Sequence, residues 1–222
     1  MRRSRMLLGA STAGTALLAY HQKIRPRMNR WGATEEEARG SLPGDEFRPD
    51  PTFECTRAIT IDAPPEEVWP WIAQLGDERA GFYSYDWVER LLLSGHYVEG
   101  RSARRIHPEL QDLCVGDEIA FASVNRVPVT ALEPDHHLVI GTSYAFVLEP
   151  LEDERTRLLV RTRGKWIQEV FHRVPVLRQV GAIIDYVIGE PLHFAMERKM
   201  LLGIAERAEI RGSRELAMPV AS

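Results

Sequence analysis

Cysteine is scarce in this sequence: Cys55 and Cys114 are the two present in 222 residues. So far apart, they suit neither a disulfide framework nor a cysteine-bound zinc, and they read as two reduced thiols. An excess of one charge is also lacking. Lys and Arg number 28 against 32 Asp and Glu, for a net charge of −4, which gives no reason to expect a nucleic-acid partner. No Gly-x-Ser-x-Gly elbow, phosphate loop or dinucleotide fingerprint occurs, and no cofactor is expected. The histidines lack metal-binding spacing. His136 and His137 are adjacent and would face opposite sides of a strand, and His96, His107, His172 and His193 stand apart, so no metal site is expected. Nor is there an apolar run of the ~20 residues that a membrane-spanning helix needs.

What the N-terminus does have is a shorter apolar or small-residue run, Met6 to Tyr20. Arg2, Arg3 and Arg5 precede it, and Lys23, Arg25, Arg27 and Arg30 follow. Three readings stay open for residues 1–30: a membrane anchor or interfacial helix, a cleaved export signal, or a frayed soluble helix. The expected localisation is membrane-associated through this segment, with a cytoplasmic or exported protein as the alternative. Residues 31–52 are rich in Gly and Pro and read as a linker, with a capping box at Thr34 and Glu37. Residues 53–211 should form the folded domain, and 212–222 a disordered tail.

Within the domain, "FECTRAITID" alternates as a strand, with Cys55, Ile59 and Ile61 on one face; Arg57 falls on that apolar face. A helix should follow Asp62 or Ala63, with Val68, Trp71, Ile72 and Leu75 as its apolar stripe. After the loop "RAGFY" a second short helix should turn Trp87, Val88, Leu91 and Leu92 inward and pair Asp86 with Arg90. Strands then dominate. Pro128 suggests an edge position. Leu138, Ile140, Tyr144, Phe146 and Leu148 share a face. Leu158, Val160 and Trp166 oppose a row of Arg157, Arg161, Arg163 and Lys165, which reads as a solvated sheet face. Residues 167–190 fit helix or strand, and a long helix should begin at Pro191.

This order, with "APPEEVWPWI" after the first strand, resembles the SRPBCC superfamily, the START-like, helix-grip group that includes polyketide cyclases and lipid-transfer domains. "GFYSYDWVERL", "TRLLVRTR" and "HFAMERKMLLGIAERAE" resemble a bacterial subgroup of unassigned function. The resemblance implies an α+β fold in which a curved antiparallel sheet wraps around a long C-terminal helix. Two short helices would follow the first strand, and an apolar cavity would lie between sheet and long helix. It also implies a function: binding of a hydrophobic small molecule or lipid. The alternatives are a polyketide-cyclase- or dehydratase-like enzyme using polar cavity side chains, or a protein–protein interaction module. Side chains with apolar bodies and polar tips suit such a cavity. The candidate ligand-binding residues are Tyr83, Tyr85, Trp87, His107, Tyr144, Phe146, Trp166, Phe194, Met196 and Met200. Tyr83 and Tyr85 are expected to point the same way at the cavity mouth, with Trp87 packed beneath them.

Overall fold

The computed structural model describes residues 18–92, 94–122, 125–164 and 175–216, with side chains from 179 to 210 in the last stretch. Six strands form one antiparallel sheet: β1 Glu54–Ile61, β2 Glu118–Ala122, β3 Asn125–Glu133, β4 His137–Ile140, β5 Tyr144–Leu151 and β6 Arg155–Arg163. Their spatial order is β1-β6-β5-β4-β3-β2. Register shifts in the β2–β3 and β3–β4 ladders add the local twist that curves such a sheet. Pro128 lies within β3, which is paired on both sides, so the expected edge position is corrected. It adjoins the shifted register at Val129 to Ala131.

The helices, in chain order, are α1 Arg25–Asn29, α2 Glu35–Arg39, α3 Pro65–Ala73, α4 Asp86–Leu91, α5 Pro175–Ile184 and α6 Glu190–Leu216. A π-helical turn, Asp185–Gly189, joins α5 to α6 without a break. The expected start at Pro191 is therefore corrected: the helix runs through that residue. A proline inside a helix lacks an N–H and crowds the preceding turn, and the widened π turn ahead of it relieves both. The ambiguous stretch resolves as helix from 175 onward, and the backbone helix persists to Leu216, past the point where the tail was expected.

One face of the sheet packs on α6. Ile61, Leu138, Ile140, Phe146, Leu148, Leu158 and Val160 meet Leu201, Ile204 and Ala208 of α6 and Val68, Trp71 and Ile72 of α3, all buried. This is the helix-grip arrangement. The two short helices are fastened by their loop. Tyr83 lies at φ +56 and its N–H donates to Ser102 Oγ at 3.0 Å, while Ser84 Oγ donates to the Met196 carbonyl at 2.9 Å. The loop approaches α6 so closely that a Cβ at Gly203 would sit 2.5 Å from the Tyr83 carbonyl oxygen.

The orientation of α4 differs from expectation. Val88 is buried, but Trp87 is 68% and Leu91 75% exposed, and Leu92 is exposed too. Six residues are too few for hydrophobic periodicity to fix a helix's phase. Polar anchors fix it instead. Asp86 accepts from Ser102 N and Oγ, at 3.1 and 2.7 Å, and Arg90 donates to the Gly100 carbonyl, so the expected Asp86–Arg90 pair is replaced by two ties to the following loop.

Glu89 of α4 is buried. Burial raises its carboxyl to about 7, Asp86 and Asp77 add to the rise, and the Tyr97 hydroxyl that donates to Oε2 opposes it. The other oxygen, Oε1, has no hydrogen-bond partner. Between an unfolded value near 4.5 and about 7, the folded chain holds a proton that the unfolded chain has released. Stability therefore falls as pH rises through that window, by up to about 3 kcal/mol. Urea unfolding at pH 5 and pH 8 should show this loss, and Glu89→Gln should remove most of it. Equal pH slopes in the two proteins would count against the buried acid.

The other face of the sheet is not bare. Residues 31–48 cross it as a strap, rather than hanging free as a linker. The Thr34 capping box forms as expected. A Cβ at Gly32, where φ is +75, would lie 1.9 Å from the Ala58 carbonyl oxygen, so backbone meets backbone there. Leu42 packs on Ala58, Val147 and Leu159. The arginine row expected to be solvated is instead covered by the strap. Arg157 pairs with Glu37 at 2.7 Å, Arg163 with Asp45 at 3.1 Å, and Arg161, 2% exposed at its side chain, with Asp45 at 2.6 Å. Lys165 and Trp166 of that stretch lie outside the described residues.

Candidate functional site

Arg57 is the most informative residue of β1. Alternation carries it onto the face that packs against α6, and it is fully buried there. Such a cation needs a partner, and α6 supplies one. Glu197, also buried, receives a hydrogen bond from Arg57 Nη1. Burial alone would pull the guanidinium down, but the Glu197 charge outweighs it and holds Arg57 above its ordinary value. Burial likewise pushes the Glu197 carboxyl up, and Arg57, His193 and the Tyr144 hydrogen bond overcome it, so Glu197 lies below the usual range. Both directions describe one ionised pair.

Three further groups converge on it. The Tyr144 hydroxyl, from β5, donates to Glu197 Oε1 at 2.5 Å, and Thr162 Oγ1, from β6, reaches the same oxygen at 3.3 Å. His193, one turn before Glu197 on α6, places Nδ1 3.3 Å from Arg57 Nη1 and Nε2 3.5 Å from Glu197 Oε1. Burial lowers its pKa, more than the Glu197 charge raises it. A neutral ring accepting at Nδ1 from Arg57 and carrying its proton on Nε2 toward Glu197 satisfies both contacts. Arg57 Nε donates to the Met28 carbonyl at 2.9 Å, which ties the N-terminal helix to the cluster. Arg57 Nη2 is buried with no hydrogen-bond partner.

Aromatic rings surround these polar atoms. Phe194 lies under the Arg57 guanidinium, 5.3 Å from its centroid. Tyr144 contacts Phe146 at 5.2 Å and Phe121 at 5.9 Å, and Phe121 stacks on Phe82 at 5.7 Å. Phe82, Phe121, Tyr144 and Phe194 are each only partly buried. The wall they form is incompletely covered. A separate cleft beside Gly44, Val139, Tyr144 and Arg163 offers about 10 Å³, space for roughly one water.

Cys55 Sγ, His193 and Glu197 bring donor atoms within 4.8 Å of one another, a grouping that sequence spacing concealed because β1 and α6 are so far apart in the chain. Arg57 already supplies the positive charge there, and burial holds the Cys55 thiol protonated, pushed up to about 12. The donor set thus fits an arginine–carboxylate pair better than a metal ion.

The structure gathers some of the residues that the sequence singled out and separates others. Tyr144, Phe146 and Phe194 join the Arg57 cluster, and Met196 adjoins it on α6, half-buried. Met200 is core. Tyr83 is core as well: its hydroxyl donates to the Trp71 carbonyl at 3.1 Å and accepts from Gln74 at 2.8 Å, and Arg207 covers its ring. Tyr85 is 40% exposed. The two tyrosines do not point the same way, and Trp87 does not pack beneath them. His107 is buried in another network, with its ring nitrogens 3.1 Å from Glu109 and 3.0 Å from Glu99 and its N–H on Gln74. Trp166 lies outside the described residues. Arg57, His193 and Glu197 were missed as site residues. The one available signal was a charged residue on the apolar face of a strand.

No family model and no curated protein match this chain. Among solved structures it is similar to the polyketide-cyclase-like protein of Corynebacterium glutamicum, at 15% identity over 75% of this chain and 97% of that one, with a TM-score of 0.43. It is also similar to a protein of Mesorhizobium loti (18% identity, 72% and 97% covered, TM-score 0.31) and to a conserved protein of unknown function from Enterococcus faecalis (11%, 77% and 95%, TM-score 0.30).

Proposed function

We propose that this domain, of the SRPBCC-type helix-grip fold, binds a hydrophobic small molecule or lipid between its sheet and α6. The apolar body of the ligand lies on Phe82, Phe121, Phe146 and Phe194, and its polar end meets Arg57 Nη2 beside the Tyr144 hydroxyl. One observation carries the reading: Arg57 is fully buried, yet its Nη2 donor is unpaired and its guanidinium lies over the partly covered Phe194 ring. An unpaired buried donor costs about 1–3 kcal/mol, and an oxygen on the ligand would remove that cost. A cyclase- or dehydratase-like enzyme would need a free base. Both His193 nitrogens are engaged and Glu197 is neutralised by Arg57, so the geometry favours binding over proton transfer. Residues 6–20 would hold the domain at a membrane; among the described residues no helix is long and apolar enough to cross one.

Titration with cis-parinaric acid, a fluorescent fatty acid, tests the reading. Wild type should bind saturably. Tyr144→Phe keeps the ring and removes the hydroxyl on Glu197, and should weaken binding by about fivefold, near 1 kcal/mol. Phe121→Ala, which thins the wall, should weaken it further. Binding that is absent in wild type, or equal in all three proteins, would sink the proposal.

A further inference from the structure

The helix that leads into the site is inside out. Val180, Ile183, Ile184, Val187 and Ile188 are 39–64% exposed, while Asp185 and Glu190 on the same stretch are each 5% exposed. The five aliphatics recur at i, i+3, i+4, i+7 and i+8, so they form one stripe along one face. A helix bathed in water shows the opposite arrangement.

The neighbouring element on this helix is the segment 18–29. Tyr20 meets Tyr186 edge-on at 5.3 Å, His21 Nδ1 lies 2.9 Å from the Tyr186 hydroxyl, and Arg25 binds Glu190. Residue numbers rise together along both partners, so the two helices run parallel. Leu18, 55% exposed, therefore lies at the stripe's end of the pair. The residues before it in sequence are the apolar run from Met6, preceded by Arg2, Arg3 and Arg5.

We infer that this stripe docks on the surface of an anionic lipid bilayer. Charge favours that occupant. The first 30 residues hold seven Lys and Arg and no acid, in a chain of net charge −4. Cations near an anionic leaflet strengthen association with it. Area disfavours a second copy of the chain. Five half-exposed aliphatics offer on the order of 400–500 Å², against the ~800 Å² per partner of a standard interface. The Tyr20–Tyr186 pair sits at the stripe's margin, where aromatic rings with polar tips settle at a membrane surface. Among the described residues no helix can span a bilayer, so the stripe lies in the interface plane. This docking is independent of the ligand reading.

Flotation of the purified full chain with vesicles tests it, using phosphatidylcholine with one quarter phosphatidylglycerol, and phosphatidylcholine alone. Wild type should float with the anionic vesicles and be largely released by salt. Ile183→Ser with Ile188→Ser removes apolar area at exposed positions. It should lower the bound fraction roughly tenfold or more, with thermal stability and solution mass unchanged. Equal flotation of wild type and variant overturns the inference. So does a variant that melts well below wild type without vesicles, since the stripe would then be covered by the chain's own residues 6–17. A wild-type dimer that the variant splits would assign the stripe to a second copy and overturn it as well.

Discussion

Glu197→Leu is expected to lower the unfolding free energy by about 3–5 kcal/mol, because it strands a fully buried guanidinium. Arg57 has no solvent to retreat to, and the same change leaves the Tyr144 hydroxyl without its acceptor. Adding Arg57→Met should recover most of the loss, since two apolar side chains of similar volume can replace a buried ion pair at little or no cost. Urea unfolding of the two single variants and the double variant gives the coupling directly. A single Glu197→Leu change that costs less than about 1 kcal/mol would mean that water reaches the pair.

Arg161→Met should cost a comparable amount, about 3–5 kcal/mol, through a different part of the molecule. Its side chain spends every donor. Nε binds Thr56 Oγ1, Nη1 binds the Gly40 carbonyl and Asp45, and Nη2 binds the Glu37 and Ala38 carbonyls, all between 2.6 and 3.1 Å. Methionine keeps much of the volume and takes the side-chain donor from the Glu37, Ala38 and Gly40 carbonyls of the strap, while Asp45 keeps Arg163. Amide exchange in residues 37–48 should accelerate far more than exchange in α6. Uniform acceleration across both would show that the strap does not open on its own.

The parts of the fold that were legible are those written in local periodicity. β1, the α3 stripe and the shared face of β4 and β5 follow from spacing alone, because each buries a side chain at every second or third to fourth position. The Arg157, Arg161 and Arg163 row was visible as a face, but its cover was not. Gly40, Pro43 and Gly44 carry the signals of a linker whether or not the chain lies on a sheet, and contacts from Glu37 and Asp45 to residues more than a hundred positions away leave no local trace. The stretch from Gln179 to Glu190 repeats its aliphatics at helical spacing, yet it read as helix or strand for another reason. Val and Ile favour strand, and the face carrying Val180, Ile183, Ile184, Val187 and Ile188 is exposed while Asp185 and Glu190 are buried, the reverse of the usual pattern. At the site, Arg57 left a trace in the sequence, a charge on the apolar face of a strand, and its partner left none. Glu197 sits at an ordinary polar-looking position on α6, and the sheet register that brings β1 alongside it is a long-range fact.

Native mass spectrometry of the full chain, purified without denaturation, tests the central claim most directly, namely that Arg57, Tyr144, His193 and Glu197 form the polar end of a ligand-binding interior. The account predicts a discrete mass above that of the chain, released on denaturation and apolar on chromatography. It also predicts that the folded Arg57→Met, Glu197→Leu double variant loses this mass. A chain that flies bare from every preparation and gains no mass when incubated with cis-parinaric acid would contradict it. So would a bound mass that the double variant retains in full.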